Sequence, residues 1–342
     1  MKYFIKIFAY WSGLLSVYHR FHNRNGLTVA MFHRVLPPSD PRFAGADPEW
    51  TMTTGSFARC LDFFRLHYRV VSPEQVFSAL RGETKLPDRS LLITFDDGWS
   101  DTAEYAQPIL EKFSAKALIF VAGIAVNRSS AFWEECIYSF LATNPDGFTY
   151  LKMKLEKNGL TVPKTASLIM SEKNIREIIH KLGGGNRDAL ETVAKDFDSS
   201  TNSVPTMIDT DQLKKLIAAG HIIGGHGMTH QPLTKLNDID EELKNAQGTI
   251  SDYLEKSSVN TMSFPHGAYS DAIIEKCRNA GYEYLFSSDA HLNRLKHKKI
   301  FSAKNPIGRI HISERAILNG SGQFQPALLA TWLFLRPLQT LE

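Results

Sequence analysis

The chain has 342 residues, of which 43% are hydrophobic and 22% are charged, and its formal net charge at pH 7 is +3. This composition is ordinary for a globular protein, and so small a positive charge gives no reason to expect a nucleic-acid partner. The length exceeds one average domain, although a single α/β barrel with insertions could use most of it. Three cysteines stand far apart without a CxxC motif, which indicates a reducing compartment and no disulfide framework.

Residues 1–24 have a pattern typical of an amphipathic helix. Apolar side chains recur at helical spacing from Phe4 to Tyr18, with basic residues around them. Lys6 interrupts the apolar run, and no small-residue cleavage site follows, so we expect neither a secretory signal nor a transmembrane span. Two interpretations stay open: a helix that rests on an anionic membrane surface, or a helix that packs on the body of the protein.

Between residues 27 and 121, short apolar runs typical of buried strands alternate with helical patterns. Strands are predicted at 27–32, 70–71, 91–95 and 117–121, and helices at 56–68, from the N-cap Ser72 onward, and near 101–113. From about 127 to 209 the rhythm changes. Helices are predicted at 133–141 and 172–182, and no strand pattern is convincing. We interpret this part as a helical insertion or lid.

The alternating rhythm resumes at residue 210. Helices are predicted at 210–219, 238–256 and 271–280, and strands near 221–223, 261–264, 284–286 and 307–312. An apolar segment at 327–335 is too short to span a bilayer. Strands that alternate with helices in this way predict an α/β fold with a mainly parallel sheet.

Asp96 and Asp97 directly follow the predicted strand at 91–95, and Gly98 follows them. The C-terminal ends of strands are where α/β folds build their sites. Neighbouring side chains of an extended segment point opposite ways, so one carboxylate can bind a metal while the other handles a proton. The alternative is an Asp-Asp-Gly turn without a chemical role.

His226 and His230 are four residues apart, a spacing that lets two imidazoles hold one metal. The glutamate of an HExxH motif is missing, so a zincin is a poor fit. Two imidazoles and a carboxylate complete a three-ligand catalytic zinc set, and Asp97 is the obvious third ligand. Zn²⁺ is therefore the expected divalent cofactor, although other first-row ions suit the same ligands.

Three segments, in this order, resemble the motifs of the polysaccharide deacetylase family of metal-dependent carbohydrate esterases: TFDDG at 94–98, HGMTH at 226–230 and SFPHGAY at 263–269. The resemblance covers most of residues 27–312. It implies a distorted (β/α) barrel, here with a helical insertion and an N-terminal amphipathic helix, and removal of N- or O-acyl groups from sugars.

The resemblance also divides the chain into parts. The barrel would comprise 25–126 and 210–315, separated by an insertion or lid at 127–209. The amphipathic helix at 1–24 and a C-terminal helix at 316–342 would flank it.

Roles for single residues follow from the resemblance. Asp97, His226 and His230 would hold the metal, Asp96 would be the general base, and the backbone N–H of His266 would stabilise the oxyanion. Two histidines are candidates for the general acid that serves the leaving amine, and we favour the first: His33 in the segment FHRV and His311. Candidate substrate contacts are Gly267, Tyr269 and Trp99.

Two positions depart from the usual motifs of the family. Ser263 stands where the third motif often has arginine, which leaves open how Asp96 is oriented and how its pKa is set. Arg309 is a candidate substitute. Gly227 occupies a position usually held by serine or threonine, which weakens support for the histidine pair.

We therefore expect a metal-dependent hydrolase that removes N-acetyl groups from a sugar. The cysteines, the missing signal and the basic amphipathic N-terminus favour a cytoplasmic enzyme, peripheral on the inner face of a membrane. A lipid-linked sugar in envelope or surface-polysaccharide synthesis would suit. The alternatives are a secreted deacetylase acting on chitin-like polymer or peptidoglycan, and a catalytically silent carbohydrate-binding barrel.

Overall fold

The computed structural model describes residues 2–163, 170–198, 206–254, 259–295 and 305–341. Parts of the predicted segments, at 164–169, 199–205, 255–258 and 296–304, lie outside the described residues. The strands are β1 (Gly26–Phe32), β2 (Arg34–Leu36), β3 (Thr51–Thr53), β4 (Arg69–Val70), β5 (Ser90–Phe95), β6 (Ala117–Val121), β7 (Ile222–Gly225), β8 (Thr261–Ser263), β9 (Tyr284–Phe286), β10 (Leu292–Leu295), β11 (Ile310–His311) and β12 (Leu338–Leu341).

The main sheet has the order β12-β10-β1-β5-β6-β7-β8-β9, with β11 paired to β1 and β4 paired to β5. From β1 through β9 in this order, all neighbours are parallel, and β10 runs antiparallel to β1. Strands β2 and β3 form a separate parallel pair. This curled sheet with helices around it is a distorted (β/α) barrel, so the expected fold class is confirmed.

The helices are α1 (Lys2–Trp11), α2 (Leu14–His22), α3 (Thr54–His67), α4 (Pro73–Leu80), α5 (Gln107–Lys112), α6 (Trp133–Thr143), α7 (Gly147–Lys157), α8 (Glu172–Leu182), α9 (Arg187–Asp198), α10 (Thr210–Ala218), α11 (Ile239–Tyr253), α12 (Asp271–Asn279), α13 (Glu314–Ile317) and α14 (Pro326–Phe334). A π-helical turn at Thr102–Ala106 leads into α5. Ser72 is the N-cap of α4, as the sequence predicts, and it also forms a capping box with Gln75.

The central strands are buried along their whole length. Every residue of β1, β5 and β6 is buried, which explains why their sequences read as continuous apolar runs rather than alternating ones. Because these strands are parallel, their carboxyl ends share one edge of the sheet, and the residues that follow them meet there.

The segment predicted as a helical insertion contains α6 to α9, and its described residues before 206 contain no strand. Apolar residues of these helices pack together and onto the barrel core. The division of the chain into domains stays a prediction.

The N-terminal segment is two helices rather than the single helix predicted for 1–24. Gly13 separates α1 from α2 in a left-handed conformation with φ of 81°, which glycine adopts without steric cost. Over the described residues, we find no helix that is both long and apolar enough to cross a membrane.

The helix predicted for 316–342 is also shorter than expected. Its main helical part is α14, and Leu338–Leu341 is strand β12, which pairs in parallel with β10. The prediction was wrong there because the pairing depends on a strand that is distant in sequence.

Candidate active site

A cavity of about 510 Å³ lies at the carboxyl edge of the parallel strands, a volume typical of small-molecule sites. His33 follows β1, Asp96 and Asp97 follow β5, and His226 follows β7. All four line the cavity, together with Arg309, which directly precedes β11. The sheet topology therefore collects residues that are far apart in the chain.

Asp97, His226 and His230 form the first cluster in this cavity. Asp97 Oδ1 lies 3.3 Å from His226 Nε2 and 3.1 Å from His230 Nε2. The three side chains are buried, and one ligand atom of each lies within 4.8 Å of the others. The indole N–H of Trp99 donates to Asp97 Oδ2 at 2.9 Å, which leaves Oδ1 facing the two imidazoles.

This donor set fits a divalent metal ion. His226 Nδ1 lies 2.9 Å from the backbone carbonyl of Ser263. A carbonyl only accepts, so Nδ1 carries the proton and the lone pair of Nε2 faces Asp97, as in metal sites with a supporting carbonyl. Within the described part of the chain, a second triplet of candidate ligands comprises Glu134, His230 and His266. It shares His230 and includes the exposed His266, so the fully buried triplet is the better site.

Asp96 is held by Arg309, the residue considered as a substitute for the missing third-motif arginine. The Arg309 guanidinium donates to Oδ1 and Oδ2 of Asp96 at 2.5 and 2.7 Å, and Ser263 Oγ donates to Oδ2 at 3.4 Å. Burial raises the pKa of Asp96, but the charge and hydrogen bonds of Arg309, together with the nearby His226 and His33, outweigh burial and hold the pKa below its ordinary value. Asp96 is therefore an oriented, ionised carboxylate.

The two candidate general acids are neighbours. The rings of His33 and His311 lie 5.3 Å apart, and each lies 4.6 Å from the ring of Trp50. His33 lines the cavity, and its buried Nδ1 has no hydrogen-bond partner among the described residues. Burial lowers the pKa of both imidazoles, that of His311 to about 3, and His311 is not among the residues that line the cavity.

A model of the family described as polysaccharide deacetylase matches residues 83–285, which is more than half of the chain. The chain belongs to the polysaccharide deacetylase family. A putative polysaccharide deacetylase of Bacillus subtilis (strain 168), YxkH, is 25% identical over 155 residues, which cover 42% of this chain and 56% of that protein. The match thus spans about half the length of the curated relative.

Solved structures agree at the level of the fold. The structure of IcaB from Ammonifex degensii aligns with a TM-score of 0.57 and 19% identity over 91% of this chain and 97% of that chain. The Streptococcus pyogenes deacetylase PplD, solved with acetate, aligns with a TM-score of 0.56 and 16% identity over 91% and 99%. Both similarities support the distorted barrel.

In this member of the polysaccharide deacetylase family, two predicted sugar contacts have other partners. Trp99 is 5% exposed, donates to Asp97, and is covered on one face by the Arg34 guanidinium at 4.4 Å. Tyr269 stacks on Phe264 at 5.0 Å, donates to Asp289 at 2.5 Å and is not among the cavity-lining residues. Trp99 is among the residues that line the cavity and Tyr269 is not, and a sugar contact stays a prediction for both.

The third-motif loop does reach the cavity. His266 and Gly267 line it, with φ angles of 55° and 66°. A Cβ atom on Gly267 would lie 1.9 Å from Ser288 Oγ, so this position requires glycine. The turn brings the backbone of His266 to the cavity wall, next to His230, whose carbonyl lies 3.1 Å from His266 Nε2.

Glu242 of α11 supports the loop between the two candidate ligands His226 and His230. Its Oε1 accepts from the backbone N–H groups of Met228 and Thr229 at 2.9 and 2.8 Å and from Thr229 Oγ1 at 3.0 Å. A Cβ on Gly227 would lie 3.1 Å from the same oxygen. The support that Gly227 cannot supply therefore comes from Glu242. Sequence reasoning missed it because the first turn of α11 holds three acidic residues without a sign of which is buried.

Replacement of Glu242 by alanine should loosen this loop. We expect metal affinity to fall about 10- to 100-fold and the free energy of unfolding to fall by about 1–3 kcal/mol, because two partly buried N–H groups lose their acceptor. Metal titration of the purified variant and its urea unfolding curve measure the two effects. Glu242→Gln keeps an acceptor oxygen and is the control. Equal losses in both variants would contradict this role.

The insertion contributes directly to the site. Phe132, just before α6, stacks on the ring of His230 at 4.2 Å, and Glu135 of α6 pairs with the buried Arg34. The Arg34 Nε also donates to Asp101 at 2.9 Å. These contacts bind α6 to the barrel and fix the orientation of one metal-ligand candidate.

Proposed function

We propose that this chain removes N-acetyl groups from a sugar by metal-assisted hydrolysis. The observation that supports this most strongly is the convergence of Asp97, His226 and His230 beside the Arg309-held carboxylate of Asp96, in one cavity of a polysaccharide deacetylase fold. Packing alone explains neither the Asp97, His226 and His230 cluster nor the Asp96–Arg309 pair, because both bury charged or polar groups.

Asp97, His226 and His230 are the proposed metal ligands, and Zn²⁺ is the proposed ion. When bound there, a divalent cation would lower the pKa of a water molecule and polarise the acyl carbonyl. His226 and Asp97 are pre-oriented for this by their contacts with Ser263 and Trp99.

Asp96 is the proposed general base that accepts the proton of the attacking water. Arg309 keeps Asp96 ionised and fixes the direction of both its oxygens. The backbone N–H of His266 is the proposed donor to the oxyanion, because the strained turn of His266 and Gly267 brings the chain to the cavity wall. Gly267 serves as the residue that permits this turn.

His33 is the proposed general acid that protonates the leaving amine. It lines the cavity with an Nδ1 that has no hydrogen-bond partner among the described residues, whereas His311 is not among the residues that line the cavity. Burial lowers the pKa of both imidazoles, so position and not pKa favours His33. His311 then serves to pack the ring of His33, together with Trp50.

The proposed substrate is an N-acetylated, lipid-linked sugar of envelope or surface-polysaccharide synthesis, met at the inner face of a membrane. The exposed apolar side chains of α1 and α2 support a membrane location. Release of acetate and of free amine from N-acetylated glucosamine oligomers tests the reaction itself. Binding of these oligomers by the zinc-loaded protein without any release would favour a silent carbohydrate-binding barrel instead.

His33→Gln and His311→Gln separate the two acid candidates. We expect His33→Gln to lower kcat on an N-acetyl substrate about 100-fold or more, because an amine leaves poorly without a proton. The same variant should lose little activity on p-nitrophenyl acetate, whose leaving group needs no proton. His311→Gln is the matched control and should lose less than about tenfold on both. If His311→Gln loses more kcat on the N-acetyl substrate than His33→Gln does, His311 is the general acid.

A further inference from the structure

Each of the two N-terminal helices has an exposed apolar face. Phe4, Phe8 and Trp11 of α1 and Leu14, Val17 and Phe21 of α2 follow the spacings i, i+4, i+7 and i, i+3, i+7, so each set lies on one helix face. Their exposed fractions range from 56% for Val17 to 74% for Phe4. We call these six residues the N-terminal apolar face.

The other side of the same helices packs on the barrel. Leu15 and His19 are buried, the ring of His19 stacks on Phe334 of α14 at 3.9 Å, and His19 Nε2 lies 3.1 Å from the His67 carbonyl. Tyr10 Oη lies 3.1 Å from His67 Nε2. The helices are thus held in place through their inner side, and the N-terminal apolar face points away from the protein body.

The charges on these helices favour an anionic lipid surface as the partner of this face. No aspartate or glutamate occurs before Asp40, and the exposed Arg20 of α2 flanks the face, whereas Lys6 is half-buried on the other side of α1. Beyond α14, Arg336 lies 3.8 Å from the ring of the exposed Trp332. Aromatic and aliphatic side chains flanked by an exposed arginine and without nearby acidic residues on these helices match the boundary between acyl chains and anionic headgroups. We propose that the N-terminal apolar face docks this protein on an anionic lipid bilayer.

Helix α14 connects the docking surface to the cavity. Phe334 supports α2 through His19, while the indole N–H of Trp332 donates to the His311 carbonyl at 2.8 Å. His311 in turn contacts His33 and Trp50 at the cavity wall. If the cavity binds a lipid-linked sugar, as the proposed function holds, helix α14 places that cavity near the N-terminal apolar face and therefore near the membrane.

Sedimentation with vesicles tests the proposal without any substrate. The full chain is mixed with vesicles of phosphatidylcholine alone or of phosphatidylcholine with phosphatidylglycerol, at low and at high salt. We expect binding to the anionic vesicles that weakens as salt is added. Binding to the neutral vesicles should be weaker by about fivefold for each lysine or arginine that meets an anionic headgroup. The double variant Phe8→Glu/Trp11→Glu should bind at least about tenfold more weakly.

Met153→Glu is the matched control, because Met153 is 52% exposed on α7 of the insertion, away from this face. It should bind like the unmodified chain. A second double variant, Phe4→Glu/Phe21→Glu, repeats the test if the first one folds poorly. Unchanged binding by correctly folded double variants would overturn the proposal. So would a dimer in light scattering that the double variants dissociate, which would assign the face to a second copy of the chain.

Deacetylation of a water-soluble oligomer keeps this test separate from the proposed function. The double variants leave the cavity intact, so they should retain this activity while losing vesicle binding. Vesicle binding by a protein that releases no acetate would preserve the docking surface and reject the deacetylase proposal. Acetate release without vesicle binding would support the deacetylase proposal and reject the docking surface.

Discussion

Replacement of Asp97 by alanine is expected to lower acetate release from N-acetylated oligomers at least about a thousandfold. Asp97 Oδ1 is the atom that both His226 Nε2 and His230 Nε2 approach, at 3.3 and 3.1 Å. Without it, two neutral imidazoles remain, which hold a divalent cation weakly and leave its charge uncompensated in a buried site. Steady-state kinetics and the metal content per chain measure the two consequences together.

Chelation of the unmodified protein should reproduce the loss seen in Asp97→Ala. Added Zn²⁺ should then restore the unmodified protein but not the variant. Asp88→Ala is the matched control, because Asp88 is an exposed carboxylate paired with Arg24 at 3.2 Å. It should keep full metal content and activity. Full turnover in a metal-free sample would reject the metal-assisted mechanism, whatever the variants do.

The parts of the fold that the sequence predicts well are those with a strong local pattern. Strands β1, β5 and β6 are buried on both faces, so each appears as an uninterrupted apolar run. Helix α4 is preceded by its own capping residue, Ser72, and carries the partner Gln75 in its first turn. In each case the residues that define the element lie within it or next to it.

The missed strands have no such local pattern. Strands β2 and β3 have only three residues each and pair with one another across an intervening loop. Strands β10 and β12 carry the polar residues Asn293, Arg294, Gln339 and Thr340. Strand β12 pairs with β10, and β10 also pairs with β1. Their position follows from tertiary pairing, which propensity and periodicity do not contain.

The candidate site also contains residues that local sequence motifs predict and residues that only the structure shows. Asp96, Asp97, His226 and His230 belong to short motifs at strand ends, and the structure brings all four into one cavity. Arg309 is predicted from the sequence as a support for Asp96, whereas other supporting residues are found only in the fold. Glu242 acts from a helix that reads as polar, and Phe132 acts from the insertion. Support for a ligand can come from any element that packs nearby, so it leaves no fixed spacing in the sequence.

Arg309 shows why a supporting role need not keep its place in the chain. Residue 309 precedes β11, and the pairing of Ile310 with Ala30 sets it beside the end of β5. Its guanidinium also donates to Ser263 Oγ at 2.5 Å, at the third-motif position where an arginine is often found. The same carboxylate is thus reached from a different strand.

Replacement of Arg309 by methionine is expected to lower kcat about 100- to 1,000-fold. It should also lower the free energy of unfolding by about 3–5 kcal/mol, because Asp96 stays buried without its partner. Burial raises the pKa of Asp96 and Arg309 lowers it. Asp96 must be ionised to accept a proton, so loss of Arg309 should move the acid limb of the pH–rate profile to higher pH. Arg309→Lys keeps the charge but not the paired hydrogen bonds. Its kcat and acid limb should therefore lie between those of the unmodified protein and those of Arg309→Met.

A double variant tests whether an arginine at position 263 can replace Arg309 as the partner of Asp96. Ser263 Oγ lies 3.4 Å from Asp96 Oδ2, so in the double variant Ser263→Arg/Arg309→Ser a guanidinium at the third-motif position can reach the same carboxylate. We expect this variant to recover part of the kcat lost in Arg309→Met and to return the acid limb toward lower pH. Arg315→Met, which removes an exposed guanidinium paired with Glu172, is the control and should change neither. If Arg309→Met keeps the acid limb of the unmodified protein, the guanidinium does not set the pKa of the base, and its role is confined to holding β11 against the barrel.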